Sequence, residues 1–218
     1  MHARSVFFPS IAVLALGLAL APSDGRCQTF ITFASDVTWE TFAMNPNGSQ
    51  GPSLGAPQFP SWAYHSATLY EIPGAAWMWL PGVNESSLSN LQGVYFSKQF
   101  DLHAPIGGLF FIAADDFAEV IVNGVVAGST GSVTDIALAK FAPLSLKVID
   151  FAPYLVPGTN TLTVRAQNGP SGFGGCDLSC TYDPTSNPAG VVFGGILTEA
   201  APTAVRGSAW GSVKVRYR

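Results

Sequence analysis

Asn123-Gly124 narrows what this chain can become more than any other pair in it. Both residues tolerate positive φ, which a two-residue type I′ turn requires at its central positions, so the pair closes a β-hairpin. The stretch around it, "ADDFAEVIVNGVVAGS" at 113–128, alternates on the way into the turn and is apolar on the way out. A period of two places Val120 and Val122 on one face and Glu119, Ile121 and Asn123 on the other. Asp115 and Asp116 stand at the corner that leads into this ribbon.

Short runs of the same kind recur along the chain: "TFITF", "VTWETF", "AAWMWL" at 75–80, "GVYFSKQFDL" at 93–102, "GGLFFIAAD", "LSLKVIDF", "NTLTVRAQN" and "GVVFGGILT". Turn residues separate them, the pattern of strands joined by tight connections. In "GVYFSKQFDL" neither alternate face is purely apolar. Residues 45–61, rich in Gly, Pro and Ser, read as a loop, and Asp135 to Phe141 as the one helical turn. Charged residues make up 11% of the chain, while 23 Gly and 16 Pro supply the turns. About ten strands so arranged predict an all-β fold, an antiparallel β-sandwich of the jelly-roll kind.

The two ends differ from the body. Residues 1–27 have a short basic start, an apolar run broken by Pro9 and a polar "PSDGRC", the three-part pattern of a secretory signal peptide. Cleavage after Cys27 fits better than cleavage after Ala21, which would set Pro22 directly behind the cut. Cys176 and Cys180 then remain as an even pair in an oxidising compartment, where a disulfide is expected. Residues 28–202 form the expected domain, and they set thirteen acids against Lys98, Lys140, Lys147 and Arg165. Such an acidic body repels phosphates and excludes a nucleic-acid partner. Residues 203–218 carry Arg206, Lys214, Arg216 and Arg218 with no acid, a basic tail that reads as a blunted edge strand or a sorting or attachment segment. No later apolar run has the length of a bilayer span, so the mature chain is expected at the cell surface or secreted.

Three stretches taken together carry a resemblance: "AADDFAEVIVNGVVAGS", "IDFAPYLVPGTNTLTVRAQNG" and "NPAGVVFGG". They resemble the galactose-binding-like β-sandwich found in carbohydrate-binding modules and in the non-catalytic N-terminal domains of β-galactosidases. Asp150, Leu155, Gly158 and Asn160 occupy the places of that family's approach to its long core strand. The resemblance spans about residues 75–200 and implies a binding role, although a fold does not by itself confer function.

The residues offer little for catalysis. His65 and His103 have no metal-ligand spacing, and no GxSxG elbow is present. Asp115 and Asp116 are paired, but neighbours on a strand point to opposite faces and would not flank one scissile bond. Two readings stay open for these acids: acceptance of backbone N–H groups at the corner, or a calcium site built with other oxygens. For a ligand, the mixture of amides, a guanidinium and aromatics at one end of the sandwich suits a sugar. Arg165 and Asn168 are the hydrogen-bonding candidates, with Phe173 and Tyr182 as aromatic faces. The alternative is that Arg165 pairs with an acid on the next strand and Asn168 caps a turn. Trp77 and Trp79, two apart on one face, form either a stacking platform or part of the core.

The expected function is therefore a secreted, non-catalytic module for extracellular carbohydrate. Its rivals are a surface or adhesion protein with a protein partner, and a hydrolase of unfamiliar site. Intact-mass measurement on the exported protein is expected to give a chain that begins at Gln28 and lacks two hydrogens. A mass that retains Cys27, or free thiols at Cys176 and Cys180, would remove the corresponding expectation.

Overall fold

A computed structural model describes residues 28–44, 50–55, 71–80, 92–169 and 189–201. Gln28–Ala201 forms one compact unit. Two antiparallel sheets face each other, an all-β sandwich. The first has the order β1-β10-β5-β8, and the second has the order β3-β2-β4-β9-β6-β7. Here β1 is Gln28–Ala34, β2 Glu40–Met44, β3 Gln50–Gly55, β4 Gly93–Leu102 and β5 Pro105–Asp115. They are followed by β6 (Phe117–Val122), β7 (Val125–Gly131), β8 (Lys147–Asp150), β9 (Gly158–Gln167) and β10 (Gly190–Ala200). No helix among the described residues is long and apolar enough to cross a membrane.

The hairpin forms where the sequence placed it. Val122 pairs with Val125 across Asn123-Gly124, whose φ angles are 52° and 82°. Val120 and Val122 are fully buried, while Glu119 and Ile121 keep partial exposure. The helical turn is α1, Ile136–Phe141, started by Asp135, whose carboxylate accepts from the N–H groups of Ala137 and Leu138. That satisfies two of the donors a helix start leaves unpaired.

Two segments depart from the sequence reading. Within 45–61, Gln50–Gly55 is a strand rather than loop, paired with β2 at the border of its sheet. An edge strand accommodates Pro52, because only one of its sides needs to donate to the ladder. Conversely "AAWMWL" is not a full strand. It holds a single bridge, Met78 to Val191, which continues the ladder beside β10 past the end of β1.

The core is aromatic. Trp39 meets Phe193 edge-on at 4.8 Å, Phe193 lies 5.8 Å from Phe110 and 5.9 Å from Phe96, and Phe33 lies 5.6 Å from Phe110. These rings come from both sheets and their connections, so they bind the two layers directly. Edge and tilted contacts of this kind add about 0.5–1.5 kcal/mol each beyond the area they bury. Buried Ser35 is satisfied within this core, since it donates to the Ala76 carbonyl at 2.7 Å and accepts from the Phe193 N–H.

At the opposite end from Asp116, a lock joins the hairpin tip to β9. Asn123 Nδ2 donates to Asn160 Oδ1 and to the Tyr154 carbonyl, both at 2.9 Å, and Asn123 Oδ1 accepts from the Thr161 N–H at 2.9 Å. Buried Asn160 also donates to the Val156 and Gly158 carbonyls and accepts from the Val156 N–H. Replacement of Asn160 by Ala strands several of these groups. Urea unfolding of Asn160→Ala is expected to show a loss of about 2–3 kcal/mol, and a loss below about 0.5 kcal/mol would mean that the lock does not hold β9.

Candidate functional site

Two places in the sandwich concentrate chemistry. The first is the acid corner between β5 and β6. Asp115 ends β5 and Asp116 alone separates it from β6; the peptide bond between them is cis. Their side chains do not diverge, as opposite-face placement predicted. The two carboxyls hydrogen-bond to each other. Asp116 Oδ2 also accepts from the Gly169 N–H at 2.6 Å, and its carbonyl accepts from the Ser132 N–H at 3.1 Å. Gly131 fits here because it adopts φ 72° and because a Cβ would collide with the Asp116 carbonyl oxygen at 1.8 Å. Asp116 thereby ties the corner to the end of β9 and to the end of β7.

Burial is the main electrostatic fact at this corner. It pushes the Asp115 carboxyl well above the usual carboxylate range, and the neighbouring Asp116 charge and their shared hydrogen bond push it the same way. Asp116 is raised by burial too, but the hydrogen bonds from Asp115 and Gly169 work against the rise. Burial thus favours retention of a proton by the pair. This arrangement fits the backbone-accepting reading of Asp116. Calcium takes roughly six to eight oxygens, so it would need further ligands beside these two carboxyls. No group of three His, Cys, Asp or Glu is gathered for a metal among the described residues.

The second place is the outer face of the six-stranded sheet. Along β9 the inward residues Leu162, Val164 and Ala166 are buried, and Thr161, Thr163, Arg165 and Gln167 keep partial exposure outward. The registers then set Phe42, Tyr95, Arg165, Glu119 and Ser129 side by side across β2, β4, β9, β6 and β7. The next level down carries Glu40, Ser97, Thr163 and Ile121. Arg165 Nε contacts Glu119 Oε1 at 2.9 Å, and its guanidinium lies 5.5 Å from the centre of the Phe117 ring. Pairing on one side and stacking on another fix the plane of this guanidinium.

Of the sequence-based ligand candidates among the described residues, Arg165 alone stands on a partly exposed face, paired with an acid on the next strand as the alternative had it. Trp77, Trp79 and Asn168 are corrected: exposures of 3%, 0% and 0% put them inside, where no ligand ring or hydroxyl reaches. Trp79 is seated by its indole N–H, which donates to Gln92 Oε1 at 2.7 Å, and the Asn168 N–H donates to the Gln92 carbonyl at 2.8 Å. Phe173, Tyr182, Cys176 and Cys180 lie outside the described residues. Tyr95, Phe42, Phe117 and Glu119 went unnoticed as a group because they are scattered over the sequence and meet only through strand pairing. The mixed faces of "GVYFSKQFDL" were the available signal.

No protein-family model matches the chain, and no curated protein matches it. Solved structures do. An FMN-binding β-glucuronidase from Facaelibacterium prausnitzii L2-6 is similar over 78% of this chain and 23% of its own, at 17% identity and a TM-score of 0.40. A GH2 β-galacturonidase from Eisenbergiella tayi is similar over 77% and 24%, at 18% identity and 0.41. A β-glucuronidase from Ruminococcus gnavus is similar over 82% and 30%, at 11% identity and 0.45. The chain thus spans less than a third of each of these proteins, and its functional reading rests on its own residues.

The acid corner makes stability depend on pH in a known direction. Both carboxyls are raised, so the native pair releases its protons at a higher pH than the unfolded chain, which releases them from about pH 4. Stability is therefore expected to fall as pH rises from there toward the raised native pKa, and to level beyond it. Asp115→Asn keeps a donor to Asp116 without a titrating proton. It is expected to stabilise the protein near pH 7 more than near pH 4, measured by thermal or urea unfolding. Equal effects at both pH values would show that the pair retains no proton.

Proposed function

We propose that this chain is an exported, non-catalytic carbohydrate-binding module of the galactose-binding-like kind, whose contact surface is the outer face of its six-stranded sheet. The observation that carries the reading is the single row Phe42, Tyr95, Arg165 and Glu119, brought level by the registers of β2, β4, β9 and β6. A sugar ring presents apolar C–H faces and a rim of hydroxyls. Aromatic side chains suit the first, and a planar guanidinium with a neighbouring carboxylate suits the second. Both kinds stand on rigid strands here.

The non-catalytic part has its own support. Glycoside hydrolysis needs two carboxyls free to act on opposite sides of one bond. Glu119 is engaged with Arg165, and Asp115 and Asp116 are engaged with each other and with Gly169. A hydrolase that used these three acids would have to release one of these pairs.

A second reading, adhesion to a protein partner, is favoured by the opposite side of the sandwich. There Phe30, Leu109, Val148 and Ile196 expose 63%, 43%, 52% and 38% of their surface, one on each strand of the four-stranded sheet. Apolar residues spread over neighbouring strands are a common mark of a protein interface.

Glycan-array binding by the mature chain tests the first reading. Tyr95→Ala is expected to weaken the best glycan about tenfold, or ~1.4 kcal/mol, and Arg165→Lys to weaken it by removal of the planar donor. No glycan above background would sink the lectin reading and leave the adhesion reading standing.

A further inference from the structure

A depression lies one level below the Phe42–Tyr95 row. It has a volume of about 260 Å³ and is lined by Thr38, Glu40, Ser97, Lys98 and Gln99. That is roughly nine times a water molecule's share of liquid volume, enough for one sugar ring. Ser97 and Gln99 project from alternate positions of β4, on the same side as Tyr95. Ser97 Oγ is 3.3 Å from Thr163 Oγ1, its neighbour on β9.

Its charged groups are arranged rather than loose. Lys98 Nζ donates to Thr38 Oγ1 at 2.6 Å and stands 5.6 Å from the centre of the buried Trp39 ring. The Thr38 hydroxyl donates in turn to Asp36, whose carboxylate also accepts the Thr38 N–H at 2.8 Å. The ammonium has three donors, and the described contacts use one of them. Glu40 pairs with Ser97 in the ladder and brings a carboxylate to the same space, with the Gln99 amide beside it.

This set selects a ligand by charge. An anion that approached Lys98 would meet Glu40, and a cation that approached Glu40 would meet Lys98. A hydroxyl avoids both penalties, because it accepts from the ammonium and donates to the carboxylate with the same oxygen. Vicinal hydroxyls on a pyranose ring would serve Lys98, Glu40 and Gln99 together. From Gln99 to Tyr95 the strand advances about 14 Å, more than one ring.

We infer that the depression lined by Glu40, Ser97, Lys98 and Gln99 is the end subsite for an uncharged hexopyranose unit of a glycan chain that lies along β4 toward Tyr95. The inference rests on the carbohydrate-binding reading above and adds to it a place, a direction and a charge preference. Binding then depends on oligosaccharide length, is indifferent to salt, and rejects uronic acid oligomers.

Calorimetric titration of the mature chain tests it, with neutral cello-, manno- and galacto-oligosaccharides of increasing length against oligogalacturonates. The expected result is a neutral binder whose affinity rises with length and stays constant between about 0.02 and 0.5 M NaCl. Glu40→Gln, Lys98→Met and Gln99→Ala are each expected to weaken it at least about fivefold, or ~1 kcal/mol. Amide shifts of Ser97 and Gln99 in the wild-type protein give a second readout that needs no variant to fold. A neutral binder lost with Tyr95→Ala but indifferent to all three variants, with still amides at Ser97 and Gln99, would overturn the subsite and leave the module reading intact. Selective binding of oligogalacturonate would also overturn it. Failure to bind any oligosaccharide would remove both.

Discussion

The register of β9 is the constraint on which the rest of this molecule depends. The strand sits inside the six-stranded sheet, paired along its length with β4 on one side and β6 on the other. A shift by one residue would turn Leu162, Val164 and Ala166 outward and drive Arg165 and Gln167 into a core of phenylalanine and tryptophan. Burying that guanidinium away from Glu119 would cost several kcal/mol, so the outward set is selected as strongly as the inward one. Every residue proposed to meet a ligand is defined by this choice. Tyr95 and Ser97 take their face from pairing with Arg165 and Thr163, and Glu119 takes its face from pairing with Arg165.

Both ends of the strand are pinned by side chains rather than by the ladder alone. At its start, buried Asn160 fills its donors and acceptor from the preceding turn and from Asn123. Beyond its end, the Gly169 N–H is held by Asp116. The two pins use opposite chemistry. The amide pair is neutral and self-complementary, so it stabilises at any pH. The acid pair is held against its own desolvation, which raises both carboxyls. Its return is positional: a single residue, Asp116, fastens β5, β6, β7 and the exit of β9 at one point.

Local pattern made much of the fold legible. Asn123-Gly124 gave the hairpin because the turn needs positive φ at two successive residues, and Asp135 gave the start of α1 because a carboxylate there meets two free N–H groups. The strand at Gln50–Gly55 was hidden by its composition, since an edge strand needs neither bulk nor a full set of donors. Trp77 and Trp79 were ambiguous because two indoles on one face look alike whether that face meets water or another layer. The acid pair was misread for a related reason. Side-chain direction was taken from the regular pleat, and the corner between β5 and β6 does not follow it. The row across the six-stranded sheet was beyond reach: Phe42, Tyr95, Glu119 and Arg165 have no common spacing, and only the pairing of four strands makes them neighbours.

A sheet face differs from a loop cluster in what binding costs. Side chains on loops must be ordered when a ligand arrives, at about 0.5–1.5 kcal/mol for each long one. On this sheet some of that ordering is already done, for Arg165 on the outer face and for Lys98, which pairs with the inward Leu162, at the end of β2. Arg165 is held by Glu119 and by the Phe117 ring, and Lys98 is held by Thr38 above Trp39, whose own indole N–H is tied to the Ala34 carbonyl at 2.8 Å. Each cation is stacked on an aromatic ring and anchored by one polar partner. The same device occurs twice on one sheet, at levels separated by the Ser97–Thr163 pair. A surface kept merely soluble has no need to fix its charges in this way, because mobile lysines and arginines serve that purpose with less loss of entropy. Fixed donors at a set separation are what a ligand with regularly spaced hydroxyls can use.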